Sequence, residues 1–328
     1  MNINSKIYVA GHKGLVGSAL VRELENNGYL NIAKRTHDDL DLTNQSDVNN
    51  FFKEEKPEFV FLAAAKVGGI YANTSYPAEF IFSNLAIQTN IIHQSYLSGV
   101  KRLLFLGSSC IYPRDCMQPI KEEYLLTGPL ENTNKPYALA KIAGMEMCQS
   151  YNRQYKTKYL TVMPTNLYGP GDNYDLENSH VIPGLIRKFH EAKVNKIDKV
   201  FLWGTGKPKR EFLHVDDLAK ACFFLMSLED SLFDSYVNPI NEDHNVPFFN
   251  VGSGEELTIE DLAKLIKLII GFDGKIIFDS TKPNGTMKKL LDSRRINELG
   301  WKPYIKIKEG LQLVYRDLIA NNNLFIEK

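Results

Sequence analysis

The feature that most constrains the fold is a glycine-spaced turn, GHKGLVG, at residues 11–17. An apolar stretch typical of a buried strand, KIYVAG (6–11), precedes it, and a stretch with helical spacing, VGSALVRELENNG (16–28), follows it. Glycines at this spacing permit a tight turn, a close approach of a ligand to the backbone, and close packing of helix on strand. The strand, turn and helix together predict a dinucleotide whose pyrophosphate lies at the helix N-terminus.

The first half of the chain repeats this rhythm of apolar strands and amphipathic helices. Its strands have continuous apolar runs, which are typical of a parallel sheet buried on both faces. We therefore predict an α/β fold, a doubly wound parallel (Rossmann-type) sheet with a smaller C-terminal α/β substrate lobe. The further predicted strands are 31–35, 58–65 and 101–109, and the further predicted helices are 46–57, capped by Ser46 and ended by Pro57, and 77–98.

The pattern and composition of the sequence change after about residue 165, where the predicted loops are longer and Gly, Pro and Asn are frequent. We predict a dinucleotide-binding domain over 1–165 and a mainly substrate-binding lobe over 166–328. Later segments near 210–225 and 249–256 are expected to return to the first domain, and the polar segment 229–248 is expected to be a surface loop. Isolated strands are predicted at 200–204, 249–254 and 275–279.

Composition excludes several classes of function. The 328 residues contain 39 basic and 39 acidic side chains, so no net charge attracts the chain to nucleic acid or to a membrane surface. No apolar run approaches the length of a membrane span, and the N-terminus has no apolar signal core. The cysteines form no CxxC pair, so we predict free thiols, no metal and a cytoplasmic location; they are Cys110, Cys116, Cys148 and Cys222.

The end of the second strand predicts which dinucleotide is bound. An NAD site usually has Asp or Glu there, to bond the ribose 2′-hydroxyl. This chain has Arg35 and His37 instead, with Lys13 in the glycine turn, and these cations favour the 2′-phosphate of NADP or NADPH. The alternative is a solvated basic strand end. Asp41 and Leu42 are expected to meet the adenine, and the turn residues expected to hold the cofactor are Gly11, His12, Lys13, Gly14, Leu15, Val16 and Gly17.

A YxxxK pattern lies at the start of a helical stretch, PYALAKIAG (136–144). Tyr137 and Lys141 are four residues apart and therefore share one helix face. An adjacent ammonium and the positive nicotinamide are expected to lower the tyrosine pKa from about 10 toward the working range. The pattern occurs by chance in many proteins, but here Ser108 and Ser109 end a strand shortly before it. We predict an acid–base site of serine, tyrosine and lysine.

These motifs resemble those of the extended short-chain dehydrogenase/reductases that act on nucleotide sugars. Longer blocks are similar to the GDP-L-fucose synthase family in particular, and they extend almost from end to end of the chain. The blocks are AGHKGLVGSA, LAAAKVGGI, FLGSSCIYP, KPYALAKIAG, MPTNLYGPGDNY, NSHVIPGLIRKFH, WGTGKPKREFLHVDDLA and KPNGTMKKLLD.

The resemblance implies a reaction in which NADPH reduces a GDP-4-keto-6-deoxy-hexose. By this resemblance Ser108 and Tyr137 hold the C4 keto oxygen, Tyr137 protonates it, and Lys141 tunes the tyrosine and binds the nicotinamide ribose. The resemblance also implies a homodimer and a further set of cofactor contacts. Those contacts are Leu106, Gly107, Ser108, Ser109, Pro164, Thr165, Asn166, Leu167 and His180.

Cys110 directly follows the two serines in the sequence, and two interpretations of it are open. A free cysteine is most often a small buried hydrophobe. The family reaction, however, begins with epimerisation at C3 and C5, on either side of the ketone, and needs a base on one face and an acid on the other. A thiol and an imidazole exchange protons near neutral pH, so Cys110 and His180 fit that pair. His180 could alternatively be a loop histidine that only contacts the cofactor.

The resemblance also implies where GDP binds. Lys188 and Arg210 match positions that hold the diphosphate, Trp203 is suited to stacking, and Asn284 stands at a substrate-contacting position. The alternative for the basic residues is a solvated surface.

Several functions remain open at this point. Beside the epimerase/reductase, they are a C4 reductase of a GDP-4-keto-6-deoxy-heptose with little or no epimerisation, a redox-neutral 4-epimerase with bound NAD, and a non-catalytic nucleotide-sugar sensor. The basic second-strand end disfavours the 4-epimerase, and the complete set of Ser, Tyr and Lys disfavours the sensor.

Overall fold

The computed structural model describes residues 1–176, 179–238, 246–282 and 284–321. Its strands are β1 (Ile7–Ala10), β2 (Ile32–Ala33), β3 (Phe59–Leu62), β4 (Arg102–Leu106), β5 (Tyr159–Pro164), β6 (Asn166–Tyr168), β7 (Lys199–Trp203), β8 (Lys209–His214), β9 (Phe248–Val251), β10 (Glu256–Thr258), β11 (Lys275–Asp279) and β12 (Lys288–Lys289).

The helices alternate with the strands through the first half of the chain. They are α1 (Leu15–Asn26), α2 (Gln45–Glu55), α3 (Ile70–Ser75), α4 (Pro77–Leu97), α5 (Lys135–Tyr155), α6 (Val181–Val194), α7 (Val215–Met226), α8 (Asp230–Val237), α9 (Ile259–Ile270), α10 (Arg294–Glu298) and α11 (Ile307–Asn321). Short 3-10 turns follow β4 and precede α5.

Six parallel strands form the main sheet in the order β2-β1-β3-β4-β5-β9. The chain winds one way from β1 to β2 and the other way from β3 onward, so the topological switch point lies between β1 and β3. Ligands of open parallel sheets bind at the carboxyl ends of the strands beside such a switch point. The fold therefore directs a ligand to the glycine turn after β1, and the predicted Rossmann-type fold class is confirmed.

Two apolar layers cover the main sheet because its strands are buried on both faces. On one side α1, α7 and α8 contribute Leu20, Leu218 and Phe233 to the core. On the other side α2, α4 and α5 contribute Phe52, Ile91 and Met145. This packing holds the carboxyl ends of the strands in one rigid row.

A third core lies among α6, α9 and α11, with Ile186, Leu262 and Leu311 at its centre. Beside it, β8 pairs with β6, β10 and β12, and β7 pairs with β11. Two later elements return to the first half of the chain: α7 packs on α1, and β9 joins the edge of the main sheet beside β5. The division into domains at residue 165 stays a prediction.

Most predicted elements have their expected place, and two local expectations are wrong. The Asn44 side chain, not Ser46, caps α2, by accepting hydrogen bonds from the backbone N–H groups of Ser46 and Asp47. The segment 229–248 is not simply a loop, because α8 begins at Asp230 and buries Phe233. Residues 239–245 of that segment lie outside the described residues.

Candidate active site

The glycine turn is packed too closely to accept side chains at two positions. Gly11 has a φ of +83°, and a Cβ there would meet the Ala64 backbone at 2.8 Å. A Cβ on Gly17 would lie 2.0 Å from the Gly11 carbonyl oxygen. The turn after β1 is therefore pressed against the segment that follows β3, at the switch point of the sheet.

The N-terminus of α1 is suited to an anion. Gly14 is its N-cap and has no side chain to bond the first N–H groups, and the first turn contains no acidic residue. The Nδ1 atom of His12 is buried without a hydrogen-bond partner among the described residues, and burial followed by the neighbouring Lys13 lowers the pKa of His12. The unmatched N–H groups at the start of α1 fit the diphosphate of a dinucleotide.

The predicted cationic end of β2 is present, but its arginine is already partnered. Arg35 forms an ion pair with Glu55, and Lys6 binds the same carboxylate at 2.8 Å. The guanidinium is 37% exposed and lies 5.5 Å from the centre of the Phe51 ring. A 2′-phosphate would therefore share this guanidinium with Glu55.

The other side chains expected near the adenosine differ in solvent exposure and in hydrogen bonding. His37 is exposed. Asp41 accepts hydrogen bonds from the N–H and the hydroxyl of Thr43, at 2.9 and 2.8 Å, and these bonds lower its pKa. Leu42 is held through its carbonyl by Asn90 Nδ2 at 3.0 Å. Asp41 and Leu42 thus belong to a well-bonded loop.

Three of the predicted catalytic side chains meet just beyond the end of β4. Ser108 caps the following 3-10 turn, and its hydroxyl accepts a hydrogen bond from the Cys110 N–H at 3.3 Å. The Ser108 side chain is also hydrogen-bonded to Tyr137, and Cys110 is close enough to Tyr137 to affect its titration. Tyr137 comes from the first turn of α5, so the helix and the strand end together bring the three groups into one cluster.

Burial, with a smaller contribution from Cys110, raises the pKa of Tyr137, while its bond to Ser108 opposes that shift. The protein's own groups therefore do not lower this pKa, and the lowering expected with a bound nicotinamide stays a prediction. The physical reason is the burial of the phenol, which Lys141 does not offset, because its ammonium donates to the Leu106 carbonyl at 2.7 Å and lies 5.8 Å from the Tyr137 ring centre. Burial lowers the pKa of Lys141 itself to about 7.

Two groups that the sequence analysis did not single out point at the Cys110 sulfur. Asn134 Nδ2 lies 3.2 Å from Sγ, and Lys289 Nζ lies 3.8 Å from it. Asn134 precedes α5 and Lys289 lies on β12, so neither is near Cys110 in the chain. The only sequence signal for Lys289 is its position inside the KPNGTMKKLLD block.

His180 is the N-cap of α6, with an exposed side chain. Its ring forms no hydrogen bond with Cys110 or Tyr137 in the described part of the chain, but the surrounding protein lowers its pKa through desolvation. A neutral imidazole at this helix start is able to take up a proton. The structure therefore brings Ser108, Cys110 and Tyr137 together, and His180 stands at the start of α6.

The strand end at 164–167 is tied to the second lobe. Thr165 Oγ1 and Asn166 Nδ2 both donate to the Glu211 carbonyl, at 3.3 and 2.9 Å. The Glu211 carboxylate is fully buried, accepts the Gly254 N–H at 2.7 Å, and has a pKa raised by burial. Gly107 leaves no room for a side chain, since a Cβ would lie 2.2 Å from Met163 Sδ. This edge of the sheet is thus rigid.

Basic side chains of the second lobe stand partly buried. Desolvation lowers the pKa of both Lys188 and Arg210, and no acidic side chain among the described residues offsets it. Trp203 is 63% exposed, with Lys282 Nζ 5.6 Å from its ring centre. Asn284 Oδ1 accepts hydrogen bonds from the Thr205 N–H and hydroxyl, so it also ties two loops together.

This arrangement of a parallel sheet, a glycine turn at the switch point and a Ser–Tyr–Lys site defines an enzyme that acts with a nicotinamide dinucleotide. Residues 7–238 match the NAD dependent epimerase/dehydratase family, and the chain belongs to that family. Within it, the chain belongs with the GDP-L-fucose synthases, as its relatives show.

A putative GDP-L-fucose synthase 2 of Arabidopsis thaliana is 57% identical to it, over 97% of this chain and 93% of that protein. The GDP-L-fucose synthase of Escherichia coli K12 is 48% identical, over 98% of both chains. The solved structure of a GDP-mannoheptose C4 reductase from Campylobacter jejuni with NADP bound is 41% identical, with a TM-score of 0.87, over 97% of this chain and 99% of that one.

The predicted enzyme class, a nucleotide-sugar oxidoreductase with a nicotinamide dinucleotide cofactor, is thereby confirmed. No described helix has both the length and the apolar character to cross a bilayer. Within the described residues, no three His, Cys, Asp or Glu side chains are grouped as metal ligands would be.

Proposed function

We propose that the protein converts GDP-4-keto-6-deoxy-D-mannose to GDP-L-fucose, by epimerisation at C3 and C5 and then reduction at C4 with NADPH. The observation that carries this proposal is the cluster of Ser108, Tyr137 and Cys110 at the carboxyl edge of the sheet. A ketone held by the first two groups has its α-protons beside the third.

In this proposal the residues at the switch point of the sheet would hold NADPH. The glycine turn and the open N-terminus of α1 hold its diphosphate, and Arg35 contacts its 2′-phosphate. Bound there, NADPH supplies a hydride for C4. Lys141, fixed to the Leu106 carbonyl between β4 and α5, is placed to bind the ribose of the nicotinamide half.

Ser108 and Tyr137 act on the C4 oxygen. The raised pKa keeps Tyr137 in its phenol form at neutral pH, which is the form that donates a hydrogen bond to a ketone and a proton to the alkoxide. Ser108 orients that phenol through their hydrogen bond. The protein environment thus favours an acid at this position, as a reduction requires.

Cys110 and His180 serve the epimerisation in this proposal. Cys110 removes a proton from C3 or C5, and the electron pair of the broken C–H bond moves to the C4 oxygen as an enolate held by Ser108 and Tyr137. His180, at the start of α6, returns a proton on the other face. Its lowered pKa favours the neutral ring at rest, so the proton it gives is taken from solvent in each cycle.

Lys188 and Arg210 bind the GDP diphosphate, and Trp203 contacts the guanosine. Both cations carry an unmatched desolvation cost that an anion relieves. Trp203 offers an exposed ring at the end of β7. Asn284 holds the neighbouring loop through Thr205 and thereby shapes this site.

The second candidate is a C4 reductase of a GDP-4-keto-6-deoxy-heptose with little or no epimerisation. It is favoured by the likeness of the fold to the mannoheptose C4 reductase over nearly the whole of both chains. The two candidates share the reducing groups and differ in whether Cys110 moves a proton.

One experiment separates these candidates. The protein is incubated in D2O with GDP-4-keto-6-deoxy-mannose or the heptose analogue, with and without NADPH, and products are identified by NMR. We expect deuterium at C3 and C5 of the hexose and GDP-L-fucose as the reduced product. The Cys110→Ser variant should lose the exchange and keep the reduction. Reduction without any exchange in the unmutated protein would instead establish the heptose-type reductase.

A homodimer and a cytoplasmic location complete the proposal. The long helices α4 and α5 pack side by side and leave large apolar side chains exposed, among them Phe82, Leu97 and Leu139. An exposed apolar face of this kind is typical of a protein–protein contact. The cytoplasmic location rests on the unpaired thiols of all four cysteines.

A further inference from the structure

The backbone around Lys289 is held from two sides. On one side β12 pairs with β8, which places Lys289 opposite Arg210, and the Leu291 N–H donates to the buried Glu211 carboxylate at 3.0 Å. On the other side the Leu290 N–H donates to Gln118 Oε1 at 2.8 Å, and the Leu290 carbonyl accepts from the Ile120 N–H at 2.7 Å. The segment that contains Gln118 and Ile120 follows Cys110 in the chain, so β12 is fixed to the Cys110 loop itself.

The Lys289 side chain extends from this fixed strand to the Cys110 sulfur. Its ammonium is 3.8 Å from Sγ, and the Asn134 amide reaches the same sulfur at 3.2 Å. In the described residues no carboxylate lies within ion-pair distance of this ammonium, whereas the adjacent Lys288 is paired with Glu256 at 3.4 Å. A cation and an amide donor aimed at one sulfur form a site for an anion.

We propose that Lys289 is a positioning residue that holds the Cys110 sulfur as a thiolate for proton abstraction, with Asn134 as the second donor. The inference rests on the proposed epimerisation. When the thiolate takes a proton from C3 or C5, an S–H bond forms, the C–H bond breaks, and the electron pair moves to the C4 oxygen. A cation beside the sulfur favours its charged form, which is the nucleophilic and basic form of cysteine.

A competing role for Lys289 is direct contact with the substrate. It lines the same cavity as Cys110, together with Arg114, Gln118 and Asn134. Loss of a substrate contact would raise KM and leave the free protein's thiol unaffected. Loss of thiolate stabilisation would lower the reactivity of Cys110 in the absence of any sugar.

The first test is alkylation of Cys110 by iodoacetamide at pH 7, followed residue by residue by mass spectrometry on the full-length protein. We expect Lys289→Met to slow alkylation of Cys110 about tenfold. Lys289→Arg, which keeps the charge, should restore the rate to within about threefold of the unmutated protein, and Lys288→Met is the matched control and should leave it unchanged. Equal rates in the Lys289→Met and unmutated proteins, with equal thermal stability, would overturn the inference.

The second test compares deuterium exchange at C3 and C5 with reduction at C4 in the same preparations. Lys289→Met should slow exchange about tenfold at saturating keto-sugar, with KM changed less than threefold. A raised KM with unchanged exchange at saturation would assign Lys289 to substrate binding instead. Absence of exchange in the unmutated protein would refute the proposed epimerisation, and the alkylation rates would still decide the role of Lys289 toward the thiol.

Discussion

At the scale of single residues, Tyr137 shows how its surroundings determine its chemistry. Burial and the nearby Cys110 both act against its phenolate, and Ser108 is its hydrogen-bond partner. The neighbouring Lys141 is directed to a backbone carbonyl and does not bond the phenol. Tyr137 is thereby kept as a proton donor, and removing its hydroxyl should remove the acid of the reduction.

We therefore expect Tyr137→Phe to lower the rate of NADPH oxidation at least a hundredfold, while NADPH affinity changes less than threefold. Stopped-flow absorbance with the keto-sugar measures the rate, and fluorescence titration measures cofactor binding. Retention of more than a tenth of the unmutated rate would remove Tyr137 from the mechanism. Tyr151→Phe, the same change farther along α5, is the matched control and should leave both quantities within twofold.

Lys141 makes the stability of the cofactor-free protein depend on pH. Its pKa is about 7 when folded, against about 10.4 in an unfolded chain. Between pH 7 and about 10.4 the lysine is mostly protonated in the unfolded chain and mostly neutral in the folded protein. The free energy of unfolding therefore rises with pH across this range, and this gain is lost as the pH falls toward 7. From pH 7 to 9.5 we expect a gain of about 3 kcal/mol relative to Lys141→Met, measured by urea unfolding. Parallel pH profiles of the two proteins would contradict this.

At the scale of elements, the short β2 and the end of α2 together position the arginine that we propose selects the cofactor. Arg35 leaves the end of β2, and Glu55 at the end of α2 pairs with it. This pair orients the guanidinium, and its partial exposure leaves donors for a phosphate. In the proposed mode of binding, the 2′-phosphate of NADPH would compete with Glu55 for the Arg35 guanidinium.

Arg35→Ala should lower the ratio of kcat/KM for NADPH to that for NADH about tenfold, because the 2′-phosphate loses its charged donor. Initial-rate kinetics with both cofactors provide the measurement. Lys53→Ala, which removes an exposed charge from α2, the helix that carries Glu55, is the control and should leave the ratio within twofold. A ratio near one in the unmutated enzyme would show that Arg35 does not select the cofactor.

At the scale of the whole molecule, the paired helices α4 and α5 present the exposed apolar side chains Phe82, Leu97 and Leu139. The active-site tyrosine lies on α5, so a contact through this face would also restrain the catalytic helix. A second copy of the chain docked on α4 and α5 would bury these side chains.

We expect a homodimer at micromolar concentration, and Phe82→Glu should weaken it at least tenfold because a charge would enter an apolar contact. Light scattering across a dilution series measures the dissociation. Leu268→Glu, at a similarly exposed leucine on α9, is the matched control and should leave the dimer intact. A monomeric unmutated protein at this concentration would refute the proposal.

The sequence by itself determined the main sheet, the glycine turn and the Ser–Tyr–Lys motif. These features are local: strand and helix periods, glycine spacing and the i, i+4 relation are read within about twenty residues. The N-cap of α2 was predicted wrongly even though it is a local feature. Asn44 and Ser46 are both good N-cap residues, and only the backbone conformation decides where the helix begins.

Only the tertiary structure decided what surrounds Cys110. Lys289 lies 179 residues away in the chain, and the pairing of β12 with β8 brings it to the sulfur. The partnering of Arg35 by Glu55 and the hydrogen bond from Leu291 to Glu211 likewise depend on contacts between separate segments. Sequence periodicity carries no information on such contacts, because they arise when separate elements bury their apolar faces against one another.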